Sequence, residues 1–373
     1  MKKIDVYAYY FPNWHPDKRN DEWHGKGWTE WEVAKCARPR FDGHDQPRVP
    51  VWGYEDESDA KVMAKKIDAA KEHGIDGFIF DTYWYEDGPY RERAVDEGFL
   101  GAPNNQRLKF ALMWCNHDAI YAHPAPRTGV PVLKSGIVTE KAFVGMTDRF
   151  INHHFHRPNY IRVDGKILFI IYNVLMFMKG MGGEAEARRV LDDFRSRVRD
   201  AGLGELQLAT VPAIIEHLQK PEDRPEINRL LKSLGIDEGV RYWWDMKNIG
   251  ALTMDYKDYA DSGIKSFLGD ETFYDMPMNP TVVNGLDQSP RTIQSDIYEV
   301  TDIYPYYTII DKCNVEDFER ALYEAKAFLS RKESRAHFLT VTSWNEWTEG
   351  NYLEPDTKFG YGYLEAIKKV FGK

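Results

Sequence analysis

Eight short apolar runs recur along this chain, and segments of helical period lie between most of them. That recurrence limits the fold more than any other feature. The runs are 4–10 (Ile4-Asp-Val-Tyr-Ala-Tyr-Tyr10), 75–81, 108–114, 166–172, 206–211, 239–244, 281–284 and 337–342, with 239–244 and 281–284 the weakest. Residues 58–73, 139–153, 184–201, 225–234 and 315–331 read as helices. In the first of these Val62, Met63, Ile67 and Ala70 share one face, and Gly74 follows as a C-cap. Pro225 suits a first helical turn. Strands alternating with helices build βαβ units and a parallel sheet. Eight such units favour an α/β fold closed as a (β/α)8 TIM barrel. An open doubly wound sheet normally shows a Gly-rich turn after its first strand, and here Phe11-Pro-Asn-Trp-His15 stands in that place. With no internal repeat or low-complexity linker, residues 1–373 read as a single barrel domain. Residues 11–57 are too long for a plain connection and are expected to fold over the barrel mouth.

In such a barrel chemistry belongs to the C-terminal ends of the strands, and polar and aromatic residues collect there. The first run ends in Tyr9, Tyr10, Asn13, Trp14 and His15. The second ends in Asp81, Tyr83, Trp84 and Tyr85, the third in Trp114, Asn116, His117 and Asp118, and the fourth in Tyr172 and Asn173. Helix capping accounts for Asp81, Asn116 and Asn173 singly, but caps do not need neighbouring Trp and Tyr. The densest group follows the eighth run: Trp344, Asn345, Glu346, Trp347 and, three residues after Glu346, Glu349. Two carboxylates among rings and amides suit glycosidic-bond cleavage, one protonating the leaving oxygen while the other serves as base or nucleophile. If the chain turns helically here, the two share a face, with Cβ atoms roughly 5–6 Å apart. That fits the pair of a retaining glycosidase, about 5 Å. If it stays extended they diverge, and acids in a first helical turn are the structural alternative. Trp28, Glu30, Trp31 and Glu354 are further sugar-contact candidates. Glu30 and Glu354 have Arg38, Arg48 and Arg291 as alternative ion-pair partners. Asp287 and Arg291, past the seventh run, either meet substrate or pair with each other.

Composition narrows the partner. Aromatics are 14% of the chain, with 11 Trp and 22 Tyr, a content common where flat sugar rings are bound and otherwise spent on a core. A net charge of -10 argues against nucleic acid and anionic membrane surfaces. Cys36, Cys115 and Cys313 form neither a disulfide frame nor a zinc pattern. His153, His154 and His156 fit a helix C-terminus better than a metal site. No metal or other cofactor is expected. GxSxG, HExxH and Asp-x-Asp are all absent, as are GxGxxG and the P-loop pattern. No apolar run reaches 18 residues, so no membrane span is expected. The opening Met-Lys-Lys-Ile-Asp-Val lacks a signal-peptide apolar region, which reads as cytoplasmic, or as a secreted chain whose leader has been removed.

Several stretches resemble the WbsX-type proteins: Ala8–His15, Asn20–Trp31, Gly43–Arg48, Gly74–Phe78, Asp287–Arg291 and Trp344–Asp356. Those proteins are similar to glycoside hydrolase family 99, the endo-α-mannosidases. The resemblance implies a (β/α)8 barrel and retaining, metal-independent hydrolysis of an α-manno- or α-rhamno-type oligo- or polysaccharide. In that family the sugar's own 2-hydroxyl is the nucleophile and a 1,2-anhydro sugar forms. Carried onto the Asn-Glu-Trp-x-Glu-Gly motif, here 345–350, it makes Glu346 the base for the 2-hydroxyl and Glu349 the general acid/base. The Asn20–Trp31 stretch follows the WbsX-type pattern and not family 99 proper, which puts α-1,2-mannan in question as the substrate. The alternatives are a glycosyltransferase of cell-surface polysaccharide (O-antigen or capsule) biosynthesis and a non-catalytic carbohydrate-binding barrel.

Overall fold

The computed structural model describes residues 3–215, 221–245 and 250–372. Eight parallel barrel strands follow the expected runs: β1 Asp5–Tyr10, β2 Gly77–Tyr85, β3 Lys109–Trp114, β4 Lys166–Ile171, β5 Leu206–Thr210, β6 Glu238–Val240, β7 and β8 Phe338–Thr342. β7 comes as two pieces, Met278–Asn279 and Thr281–Val283, on either side of Pro280. Proline cannot donate to a ladder, so pairing changes partner there. The first piece pairs with β6 (Gly239 with Met278) and the second with β8 (Thr281 with Thr340). β8 in turn pairs with β1 (Asp5 with Phe338), so the sheet closes on itself as a TIM barrel. The strands are buried almost throughout. This is the pattern of a parallel sheet covered on both faces.

Helices α1 Lys18–His24, α2 Trp31–Cys36 and α3 Ala60–Glu72 lie between β1 and β2. The first two fall within 11–57, which is the folded loop that its length and composition call for. α4 Glu140–Phe150 joins β3 to β4, α5 Val174–Met181 and α6 Glu184–Asp200 join β4 to β5, and α7 Arg224–Leu234 joins β5 to β6. α8 Tyr256–Phe273, α9 Val315–Ser330 and α10 Gly362–Phe371 complete the outer layer. α3 shows the expected logic. Asp59 caps its first turn by accepting from the Lys61 N–H, Met63, Ile67 and Ala70 are buried, and Gly74 turns the chain out at φ 88°.

Three departures from the sequence pattern have local causes. β6 ends at Val240 and not at 244, because Arg241 turns away to a buried pair with Asp270 while Trp244 packs outward. α8, with Gly263 and Gly269 inside it, carries no clear periodicity. Gly263 lies under the Trp244 indole, where an added Cβ would stand 2.0 Å from the ring. Between β2 and β3 a π-helical turn, Ala94–Phe99, takes the place of an α-helix. There Gly98 lies so close to the Glu57 carbonyl that a Cβ would be 2.1 Å from its oxygen. The histidine cluster lies in a π-helical extension of α4, and His154 meets Asp96 at 2.7 Å.

Candidate active site

Past β8 the chain folds into a tight hairpin. Asn345–Glu346 pairs antiparallel with Asn351–Tyr352, and Trp347–Glu349 forms a single 3-10 turn between them. Gly350 closes it at φ 70°, where a Cβ would meet the Asp287 nitrogen at 2.9 Å, so the position takes only glycine. Residues three apart in a 3-10 turn eclipse one another. Glu346 and Glu349 therefore stand side by side, and both line a cavity of about 560 Å³ at the barrel mouth.

Arg291 joins them. Its Nη1 bonds the Glu349 carboxylate and lies 2.5 Å from the Tyr304 hydroxyl; its Nη2 lies 3.2 Å from Glu346 Oε2. Two oxygens held by one guanidinium fork cannot separate beyond the roughly 9.5 Å limit of glycosidase carboxyl pairs. Behind the arginine stands Glu30, fully buried, accepting from Nη2 at 2.8 Å and from Nε at 3.0 Å. Thr348 and Asn13 also donate to Glu30. Burial alone would raise the Glu30 carboxyl, but the charge of Arg291, with His123 3.3 Å away, outweighs it and holds the group well below the usual range.

Glu346 goes the other way. Burial first, then the like charge of Glu349, push its carboxyl well above the usual range against the pull of Arg291. Asp81, at the wall formed by β2, is pushed up to about 8 by burial. The Tyr242 hydroxyl donates to Asp81 Oδ2 at 2.8 Å and lies 3.4 Å from Glu346 Oε1, so it links the two protonatable carboxyls. His24 is lowered to about 4, and His117 and His123 are also lowered, in each case chiefly by burial. All three are neutral groups in the cavity wall at neutral pH.

Of the residues singled out in the sequence, Asp81, Tyr83, Tyr85, His117, Asp118, Tyr172, Arg291, Glu346 and Glu349 line the cavity. Others stand one layer behind. Trp344 and Trp347 donate their indole N–H groups to the two oxygens of Glu354, at 2.9 and 2.8 Å, and Lys66 pairs with Glu354 and Glu57 beneath them. Asn345 bonds both backbone groups of Phe11 at 2.8 Å and donates to Glu57. Asp287 does not pair with Arg291. It accepts from Gln46 at 2.6 Å and meets His44 at 2.9 Å. Asn116 brackets the backbone of Asn173, which caps α5. Tyr9 donates to the Arg241 carbonyl, Tyr10 packs on Phe78 and Phe80, and His15 is buried. Trp14 packs on Trp31, whose N–H donates to the Glu55 carbonyl. Trp114 donates to the Trp84 carbonyl. Trp28 packs on His24 at the rim, 4.2 Å between ring centres.

Several cavity residues were not singled out: Phe11, His24, Arg91, His123, Tyr242 and Tyr304. Tyr242 belongs to the sixth run, so position alone pointed to it. His123 and Tyr304 come from long loops with no period to mark them.

The chain belongs to the family described as Glycosyltransferase WbsX, whose profile matches residues 6–367. Its curated relatives include two proteins, each named "Uncharacterized protein WxcX", from Xanthomonas campestris pv. campestris, strains ATCC 33913 and B100. Each is 27% identical over 382 residues, covering 97% of this chain and 49% of the relative. The chain thus spans about half the length of the curated relatives it matches. Among solved structures, a GH99 endo-alpha-mannosidase from Bacteroides thetaiotaomicron is similar with a TM-score of 0.59 at 15% identity, covering 99% of this chain and 95% of that one. A protein described as glycoside hydrolase-like gives 0.62 at 16% identity, covering 100% and 95%. At such identities the likeness is one of fold, the same α/β barrel.

Proposed function

We propose that this chain is a retaining glycoside hydrolase acting on a 1,2-trans-configured oligo- or polysaccharide, of α-manno or α-rhamno type. One observation carries the reading: a single guanidinium joins two carboxylates at the floor of an aromatic-lined cavity, on the strand ends where barrel enzymes work. In the proposed reaction Glu346 takes the proton of the sugar's 2-hydroxyl, and that oxygen attacks C1 from the face opposite the leaving group. The glycosidic bond breaks as Glu349 protonates the departing oxygen, leaving a 1,2-anhydro sugar. Water, deprotonated by Glu349, then opens the ring at C1, and Glu346 returns its proton to the 2-oxygen. Two inversions give net retention.

The free protein favours a proton on Glu346, whereas the reaction uses that group as a base. Arg291 already touches it, and a shift of the guanidinium toward Glu346 on substrate binding releases the proton. Glu349→Gln should lower turnover by about 10⁴-fold, the upper range for a general acid, while glycan binding by calorimetry is kept. Wild-type-like turnover in that variant, or an inverted anomer as the first product seen by proton NMR, overturns the reading. The family's description favours a second reading, glycosyl transfer; tight binding of a nucleotide sugar together with no hydrolysis of any glycan would support it.

A further inference from the structure

Two arginines line the cavity, and they are used differently. Arg291 is spent on Glu30, Glu346 and Glu349. Arg91 instead lies in a cage of rings, its guanidinium carbon 4.3 Å from the centre of Tyr90, 4.8 Å from Tyr83 and 5.1 Å from Phe11. No carboxylate ion-pairs with it among the described residues, and its Nε is buried without a partner. The same Phe11 ring has Arg291 5.6 Å from its centre, so both arginines lie against one ring in the cavity that Glu346 and Glu349 line. The backbone is built to aim this side chain. Arg91 follows the hairpin formed by β2 and the short strand Gly88–Tyr90, and it takes φ 62°, the left-handed region that L side chains rarely adopt. Its N–H is held there by Asp17 Oδ2 at 3.2 Å. A strained backbone that turns an unpaired cation into a cavity is the kind of local cost that persists at binding sites.

We propose that Arg91 binds an oxyanion carried on the sugar, so that the cavity takes an acidic glycan and not a neutral one. The anion is a carboxylate, as in a hexuronic acid, or a phosphate ester. Either matches the planar donor fork of a guanidinium. The neighbouring groups permit it. Glu346 and Asp81 are both pushed toward their protonated forms, which reduces repulsion of an incoming anion and leaves Glu349 as the neighbouring carboxylate of the pair. The ring cage fixes the guanidinium by cation–π contact.

The inference rests on the glycosidase reading for the identity of the ligand as a sugar, but its test reads binding, not turnover. Calorimetry would compare matched probes: hexuronic-acid oligosaccharides against the same chains with carboxyls reduced to hydroxymethyls, and 6-phosphorylated manno-oligosaccharides against their dephosphorylated forms. Wild type and Glu349→Gln are expected to bind one acidic probe at least ten-fold more tightly than its neutral partner. Arg91→Met should abolish that ratio, and Arg91→Lys should keep part of it. The pair that shows the ratio identifies the anion. Equal binding within both pairs, no binding of any acidic probe, or an unchanged ratio in Arg91→Met overturns the proposal. If Arg91→Met fails to fold, the wild-type ratio and its partial retention in Arg91→Lys still decide it. An acidic preference without hydrolysis of the preferred probe would leave Arg91 in place and sink the glycosidase reading instead.

Discussion

The eleven residues 344–354 supply two carboxylate clusters with opposite uses. Glu346 and Glu349 face the cavity and share Arg291 with Glu30. Glu354 points the other way, takes the indole N–H groups of Trp344 and Trp347, and shares Lys66 with Glu57. The second cluster is closed: Lys66 is 1% exposed and Glu57 is fully buried. The first opens onto a cavity of about 560 Å³. Both hold buried charge, which is costly unless paired. Only in the first can an incoming ligand change the pairing. A carboxylate between tryptophans is thus not enough to mark chemistry; what it faces decides.

The largest effect that would test this contrast is Lys66→Met. It leaves Glu57 and Glu354 facing each other without a cation, and chemical denaturation should report a loss of roughly 3–5 kcal/mol, the cost of breaking a buried pair from one side. An unchanged midpoint would mean the closed cluster is not structural. Next comes Arg291→Met, which should reduce kcat/KM by about 10²–10³-fold, the scale of a lost electrostatic contact at a reacting centre. Because Arg291 lowers the Glu346 carboxyl, the acid limb of kcat/KM should also move to higher pH; a limb that stays put would separate Arg291 from the chemistry.

Asp81 sharpens the contrast through pH. Its carboxyl rises from 3.8 to about 8 in the fold, chiefly by burial. The folded state therefore binds more protons than the unfolded state across that window, and stability falls as pH rises through it. The slope from this one group is at most about 1.4 kcal/mol per pH unit. Asp81→Asn should flatten the unfolding free energy between those pH values. An unaltered slope would show that Asp81 is not held protonated.

The barrel was legible because its strands are buried on both faces, which leaves continuous apolar runs in the sequence. Six of the eight were plain. β6 and β7 were not, since β6 has three residues and Pro280 splits β7. α8 was hidden by its glycines, of which Gly263 makes room for Trp244. At the site, the 345–350 motif pointed to Glu346 and Glu349, and Arg291 and Asp81 stood among the candidates. The tryptophans beside the glutamates, however, turn inward to Glu354.

What the sequence by itself determined is the order of the strands and of the five periodic helices between them, the placing of the candidate site at the strand ends and the two glutamates three residues apart. These are properties of period and spacing, carried within a few residues of chain. Only the tertiary structure decided that Arg291, 55 residues from Glu346, bridges the pair, that Glu30 stands behind it from 261 residues away, and that Glu354 belongs to Lys66. Which carboxylate receives which cation depends on barrel closure, because the cations arrive on other strands and loops. Local pattern carries no trace of that geometry.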